Sequence, residues 1–219
     1  SPGALTSVNG VVYHASRFIL WGVSGGRTDA LQPSNVTQAK VFDPLNVQFA
    51  EGEGDGILRC ISALGQLWVF GSDTLEVYYA PGTGDAILER NQPFDANVGI
   101  STGLAAAKDE VVVYLHGYDG LVYRSTGSGP ERISTPEIEP MLSTTRRGFT
   151  FQDQGHSFFA LGRAGTALCF DRDTGLWAER SSGLYDLENP TAFWEDGFMG
   201  FGEDPWMATV AARLNGTQY

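Results

Sequence analysis

Residues 170–177 read FDRDTGLW, which sets Asp171, Asp173 and Gly175 at alternating positions. Oxygen ligands alternate in this way in a calcium loop, where carboxylates enclose a hard cation. The fifth position of such a loop must also supply an oxygen, yet it is Gly175, and no glutamate stands at the twelfth. The stretch also resembles the turn of a kelch repeat, in which an aromatic-Asp pair, a Thr and a Trp, here Trp177, brace a hairpin. The related Asp-box of sialidase propellers needs two residues between Gly and Trp, and only Leu176 intervenes. A structural turn is the expectation here, not a metal site.

The remaining candidates for chemistry are scattered. His14, His116 and His156 lie far apart and would meet only if equivalent strand positions converged on one axis. Ordinary strand or turn histidines are expected. Carboxylates cluster at Glu51/Glu53/Asp55, Asp109/Glu110, Glu137/Glu139, Glu195/Asp196 and Glu203/Asp204. Glycoside hydrolysis would need two of them facing each other across a pocket, and the spacing singles out no pair. No phosphate-cradling loop or dinucleotide fingerprint occurs. The expectation is therefore no catalytic residue, no cofactor and no metal.

The elements that would position any site announce themselves more clearly. Residues 111–124, VVVYLHGYDGLVYR, hold two β-branched and aromatic runs around Gly117 and the pair Asp119-Gly120, whose positive φ angles suit a tight turn. Variants recur at 18–22, 67–79, 158–171 and 198–210, and the glycine closing each first strand is Gly22, Gly71, Gly117, Gly162 or Gly202. The successive spacings are 49, 46, 45 and 40 residues. A hairpin repeat of this length predicts an all-β fold, a β-propeller of about five blades, each a small antiparallel sheet that needs stacked neighbours to bury both faces. The whole chain, 1–219, reads as one such domain, as a complete ring or as part of a longer propeller protein.

A second repeat follows the hairpins. Glu89-Arg90, Glu131-Arg132 and Glu179-Arg180 each stand where the outermost strand of a blade should run. Charge is expected there to keep an exposed edge from pairing with another chain, and salt bridges between subunits are the alternative use. Residues 23–35, rich in Gly, Ser, Asp and Pro, read as a long rim loop, and 141–156 as an exposed connection. Both are candidate contact surfaces, as are Trp194 and Trp206. Asn9-Gly10 reads as a further turn. After the last hairpin the chain runs on as AARLNGTQY without an evident outer strand, so ring closure by the N-terminal strand and a boundary within a longer protein are both open.

Fourteen basic against 26 acidic residues leave a net charge of −12, a surface that repels polyphosphate unless a basic patch intervenes. The sole adjacent basic pair is Arg146-Arg147. Sequence-specific nucleic-acid binding is not expected, nor is membrane insertion, since no run approaches 18 apolar residues. Cys60 and Cys169 sit among apolar strand residues and read as buried free thiols.

The ordered blocks ERISTPEIE at 131–139, GHSFFAL at 155–161 and FDRDTGLWAERSS at 170–182, with LWVFGSDTLEVYY at 67–79 and the turn from Asp119 to Arg124, carry a family resemblance over roughly residues 40–185. The chain resembles the packaged-DNA stabilisation proteins of short-tailed bacteriophages. That resemblance implies a structural virion protein assembled in the host cytoplasm. It would be a tail hub, present in several copies, that docks below the portal and its adaptor ring, anchors other tail proteins and helps retain packaged DNA. It implies no enzymatic activity. The chain is shorter than a full member should be. A wall repelling phosphate would suit a conduit for DNA. A carbohydrate-binding or carbohydrate-cleaving propeller is the alternative, and would require an axial pocket with carboxylates, Arg and Trp.

Overall fold

The computed structural model describes residues 8–22, 28–43, 45–50, 54–82, 87–94, 96–143, 147–163 and 166–181. These form four antiparallel sheets of the up-and-down kind. The first holds β1 (Gly10–His14), β2 (Arg17–Trp21), β3 (Ala30–Asn35) and β4 (Gln38–Phe42), with β5 (Gln48–Phe49) also pairing β3. The second holds β6 (Arg59–Ala63), β7 (Gln66–Phe70), β8 (Leu75–Tyr79) and β9 (Glu89–Arg90). The third holds β10 (Ala106–Lys108), β11 (Val113–His116), β12 (Val122–Ser125) and β13 (Glu131–Arg132). A single helical turn, α1 (Glu139–Leu142), leads to the fourth: β14 (Arg147–Asp153), β15 (His156–Arg163), β16 (Thr166–Asp171) and β17 (Trp177–Ser181). Among the described residues no helix is long and apolar enough to cross a membrane.

The first strands β1, β6, β10 and β14 lie against one another in succession, as the innermost strands of propeller blades do. The second strands show why the blades stack. In β7 every residue after Gln66 is buried, and the two-residue period divides them between two cores. Leu67 and Val69 join Ile19, Trp21 and Leu31 of the first blade, while Trp68 and Phe70 join Val113 and Leu115 of the third. In β11, Tyr114 points the other way, into a core with Phe159 and Leu161 of β15. Phe158 and Ala160 of β15 face away from the third blade and pack with Phe149, Phe151, Ala167 and Cys169. A run apolar on both faces is thus what a strand buried between two neighbouring sheets requires.

Four of the five expected hairpins are the paired second and third strands of these blades, and the fifth, at 198–210 with Gly202, lies outside the described residues. Several boundaries differ from expectation. Much of 23–35 is not a loop, because β3 occupies Ala30–Asn35 and its first five residues are buried. Pro33 is opposite Ile19 there, so its composition misled: a strand tolerates proline where no ladder donor is needed. The 141–156 connection contains all of β14, the inner strand of the fourth blade, paired over its whole length with β15. Gly162 does not close its strand but pairs with Ala167 inside the β15–β16 ladder. Asn9-Gly10 is no hairpin turn, since Gly10 begins β1 and the chain reverses at Ala15 and Ser16, with φ of 47° and 61°. β1 completes its own blade by pairing β2.

Candidate functional site

The four inner strands line an open pocket of about 520 Å³. Each blade sends a segment to its wall, and three of the four segments carry a cation: Arg59 at the start of β6, Lys108 at the end of β10 and Arg147 at the start of β14. Tyr13 of β1 and Phe149 of β14 add aromatic surface. No acidic side chain lines this cavity among the described residues. Arg59 Nη1 donates to the Gly103 carbonyl at 3.0 Å, Lys108 Nζ donates to the Ser62 carbonyl, and Thr150 Oγ1 donates to the Lys108 carbonyl at 2.7 Å. Burial, and then the positive charge of Arg147, hold the Arg59 guanidinium below its ordinary range. Cys60 also lines the wall, but burial pushes its thiol well up, which makes it a poor nucleophile. The described lining thus offers positive charge and aromatic faces and no carboxylate.

The described lining of this pocket is positive, opposite in sign to the chain as a whole. The sequence shows no basic run because the three cations come from three blades, 49 and 39 residues apart. Nor do they share a repeat position: Arg59 and Arg147 stand opposite Phe70 and Gly162 at the start of their inner strands, and Lys108 opposite Val113 at the end of its own.

The FDRDTGLW segment forms the turn between β16 and β17. Asp171 Oδ1 accepts the amides of Asp173 and Thr174 at 2.9 and 3.4 Å, and Gly175, with φ of 72°, donates to the Asp171 carbonyl at 2.8 Å. Asp173 reaches back to accept the Ser157 amide at 2.9 Å. Trp177 Nε1 donates to the Ile133 carbonyl at 2.9 Å and so ties this turn to the preceding blade. His156 joins through Nδ1, 2.8 Å from Asp171 Oδ2, and the ligand atoms of His156, Asp171 and Asp173 fall within 4.8 Å of one another. Burial pushes the Asp171 carboxyl up, but the amide, threonine and histidine donors outweigh it and hold it below the usual range. Arg172 already occupies this corner, 2.8 Å from Asp109 Oδ2 and 3.7 Å from Asp173 Oδ1. The carboxylates are thereby committed to bracing a turn.

The other residues singled out from sequence are dispersed over the blades. His14 and His116 are buried apart, at 2.9 Å from Ser62 Oγ and 3.2 Å from Ser101 Oγ. Asp55 caps the β7–β8 turn by accepting the amides of Asp73 and Thr74, and Asp109 accepts those of Val111 and Val112. Gly71 is needed where that Asp55 carboxylate passes, since a Cβ would stand 2.0 Å from its Oδ2. Asp119 Oδ1 accepts the Leu121 amide, and of its turn only Gly120 takes a positive φ, 82°. Gly22, with φ of 63°, follows β2, and Gly117 bridges Ile100. The Glu-Arg pairs form β9 and β13 and lie within β17, the fourth strand of each sheet. Arg90 meets buried Glu76 at 3.2 Å, and Glu89 accepts the Tyr79 hydroxyl at 2.5 Å. Glu131 meets Arg124 at 3.1 Å, and Arg132 pairs with Glu139. Arg180 meets Asp153 at 3.1 Å and covers the Phe158 ring at 4.2 Å, whereas Glu179 is exposed. Trp194 and Trp206 lie outside the described residues.

Residues 2–187 match the model of a protein family described as Phage_stabilise, Bacteriophage P22 Gp10, beta-propeller. No curated protein matches the chain. Among solved structures the chain is similar to PorZ, a surface component of the type-IX secretion system of Porphyromonas gingivalis, at 11% identity and a TM-score of 0.43, with 80% of this chain and 21% of that one covered. It is similar to the extracellular domain of the putative one component system BT4673 from B. thetaiotaomicron at 12% identity and a TM-score of 0.47, covering 80% and 22%. BamB from Moraxella catarrhalis is similar at 14% identity and a TM-score of 0.44, covering 77% and 50%. The chain thus spans about a fifth of the first two proteins and half of the third.

Proposed function

Because the chain belongs to the phage stabilisation β-propeller family and is accordingly a structural protein of a bacteriophage, we propose that it serves as a hub of a short tail. In this reading it docks below the portal and adaptor ring in several copies, anchors further tail proteins and helps retain packaged DNA. Assembly takes place in the host cytoplasm, and the finished protein resides in the virion tail. The observation that carries the proposal is the family match over residues 2–187.

The geometry supports a scaffold. Turn carboxylates cap backbone amides, and most outer-strand charges pair inside their own blade, which leaves the rims as the surface for contact. Exposed Leu45 and Tyr118 lie in connections on one rim, Val36 and Leu176 in hairpin turns on the other. We assign the Glu-Arg pairs to edge protection, since the bridges they make to Glu76, Arg124 and Asp153 are internal. A glycan-cleaving role would need facing carboxylates at the axis, and the described lining holds none. Native mass measurement of the chain, alone and mixed with a portal-adaptor protein, tests the hub assignment. A stable complex of defined copy number is expected, and a strictly monomeric, non-binding chain overturns it.

A further inference from the structure

We propose that residues 182–219 continue the array as a fifth blade and seat on the far face of the fourth, the face turned away from the third blade. That face is already a buried core: Ala160 and Ala167 are fully buried, Cys169 is 1% exposed and Phe158 8%. The described side chains packed there all belong to its own sheet, among them Phe149 and Phe151 of β14 and Arg180 of β17, whose guanidinium stands 4.2 Å from the centre of the Phe158 ring. One sheet does not bury its own face; a second layer has to lie across it. The opposite end of the array differs. Val11 and Tyr13 of β1 stand opposite Leu20 and Phe18 on the far face of the first blade, and both are 55% exposed. The covering layer therefore belongs on the fourth blade and leaves the first open.

The course of the chain supplies that layer. The last strand of one blade leads to the first strand of the next, β9 to β10 and β13 to β14, so the segment after β17 arrives where an adjoining inner strand would run. The repeats are spaced by 40 to 49 residues, and 182–219 supplies nearly one more, including the hairpin sequence FMGFGEDPWMATV at 198–210. Strand phase then selects the residues that meet the fourth blade. Val69 and Leu67, two and four residues before Gly71, face the preceding blade, as do Leu115 and Val113 before Gly117. The residue three before faces the following blade, Trp68 in one case and Tyr114 in the other. Applied to Gly202, this two-residue period turns Phe198 toward Ala160 and Cys169, and Met199 away from them. The inference does not rest on the hub reading, and either can fail alone.

Photo-cross-linking of the full chain tests it, with p-benzoylphenylalanine placed at Phe198 in one variant and at Met199 in another. Irradiation of the first should give adducts within the chain on β15 or β16, mapped by mass spectrometry of the digested product, and the second should give none there. Alkylation by iodoacetamide supplies a second readout, because Cys169 lies on the proposed seam and Cys60 in the core between the first and second blades. Both should react slowly in the parent. Phe198→Asp should speed modification of Cys169 by about tenfold or more, as local opening of one seam does, with Cys60 unchanged. Met199→Gln should leave both rates within about twofold of the parent. If both cysteines quicken together in Phe198→Asp, the whole array has loosened, and the cross-link, which exchanges one aromatic for another, decides. Adducts from position 198 to β1 or β2 would show closure onto the first blade, adducts between chains a second copy on the face, and no adducts a segment placed elsewhere; each overturns the proposal. So does a Phe198→Asp chain whose Cys169 stays as protected as in the parent.

Discussion

His14 and His116 show how a residue that invites a catalytic reading is used for packing instead. Both imidazoles are buried, each beside a serine hydroxyl, and burial lowers their pKa values; at His116 this outweighs the attraction of Asp119 and a hydrogen bond with the Gly120 backbone. A histidine whose folded pKa is depressed takes up its proton first in the unfolded chain. Its contribution to stability is therefore intact above about pH 6.5 and is lost progressively as the pH falls from there toward the folded value. The melting temperature should accordingly drop on acidification from about pH 7.5 to about pH 5.5, ahead of the main titration of carboxylates. A His14→Gln/His116→Gln variant should show a shallower drop across that window. Equal slopes for the two proteins would mean that these imidazoles are not held neutral by the fold.

Outer strands that look alike in sequence differ in what their charges do. Arg90 of β9 serves a Glu76 carboxylate whose side chain is 2% exposed and which also accepts the Tyr78 hydroxyl at 2.5 Å. Glu131 of β13 meets Arg124 with side-chain exposures of 67% and 31%, where solvent screens the pair. Arg90→Ala should destabilise the protein by about 2–4 kcal/mol, because it deprives a buried carboxylate of its cation. Glu131→Ala should cost under about 1 kcal/mol. Chemical denaturation of the two variants, with similar losses in both, would refute the distinction. The Glu-Arg repeat was legible because an edge must be charged, whereas the burial of Glu76 was not, since its strand LEVYY reads simply as amphipathic. The same contrast runs through the turns. Asp119-Gly120 and Gly175 announced themselves, but two-residue reversals at Ala15-Ser16 and Leu64-Gly65 begin with residues that seldom adopt the φ of 47° and 53° seen there. Strand pairing imposes those angles from outside the turn.

At the scale of the molecule, the hairpin comb identified the propeller because each blade repeats one demand: two apolar faces that only neighbours can cover. Residue spacing could not show which side chains line the pocket of the inner strands, since that neighbourhood belongs to the stacked blades and to no segment. The same physics makes stability a property of the contacts between blades. Tyr114 of β11 is fully buried and stacks on Phe159 of β15 with ring centroids 4.8 Å apart and planes 5° from parallel. Its removal opens the seam between the third and fourth blades while leaving the backbone ladder of its own sheet in place. Tyr114→Ala should cost about 3–5 kcal/mol, the usual effect of deleting a large aromatic from a core. Where that loss appears is the sharper test. Nearest-neighbour coupling along a repeat array predicts that hydrogen exchange will quicken in β15 and β16 as well as in β11, with β1 and β2, two blades away, changing least. Loss of protection confined to the third sheet would show that each blade stands alone; uniform loss through all four would show that the ring opens only as a whole.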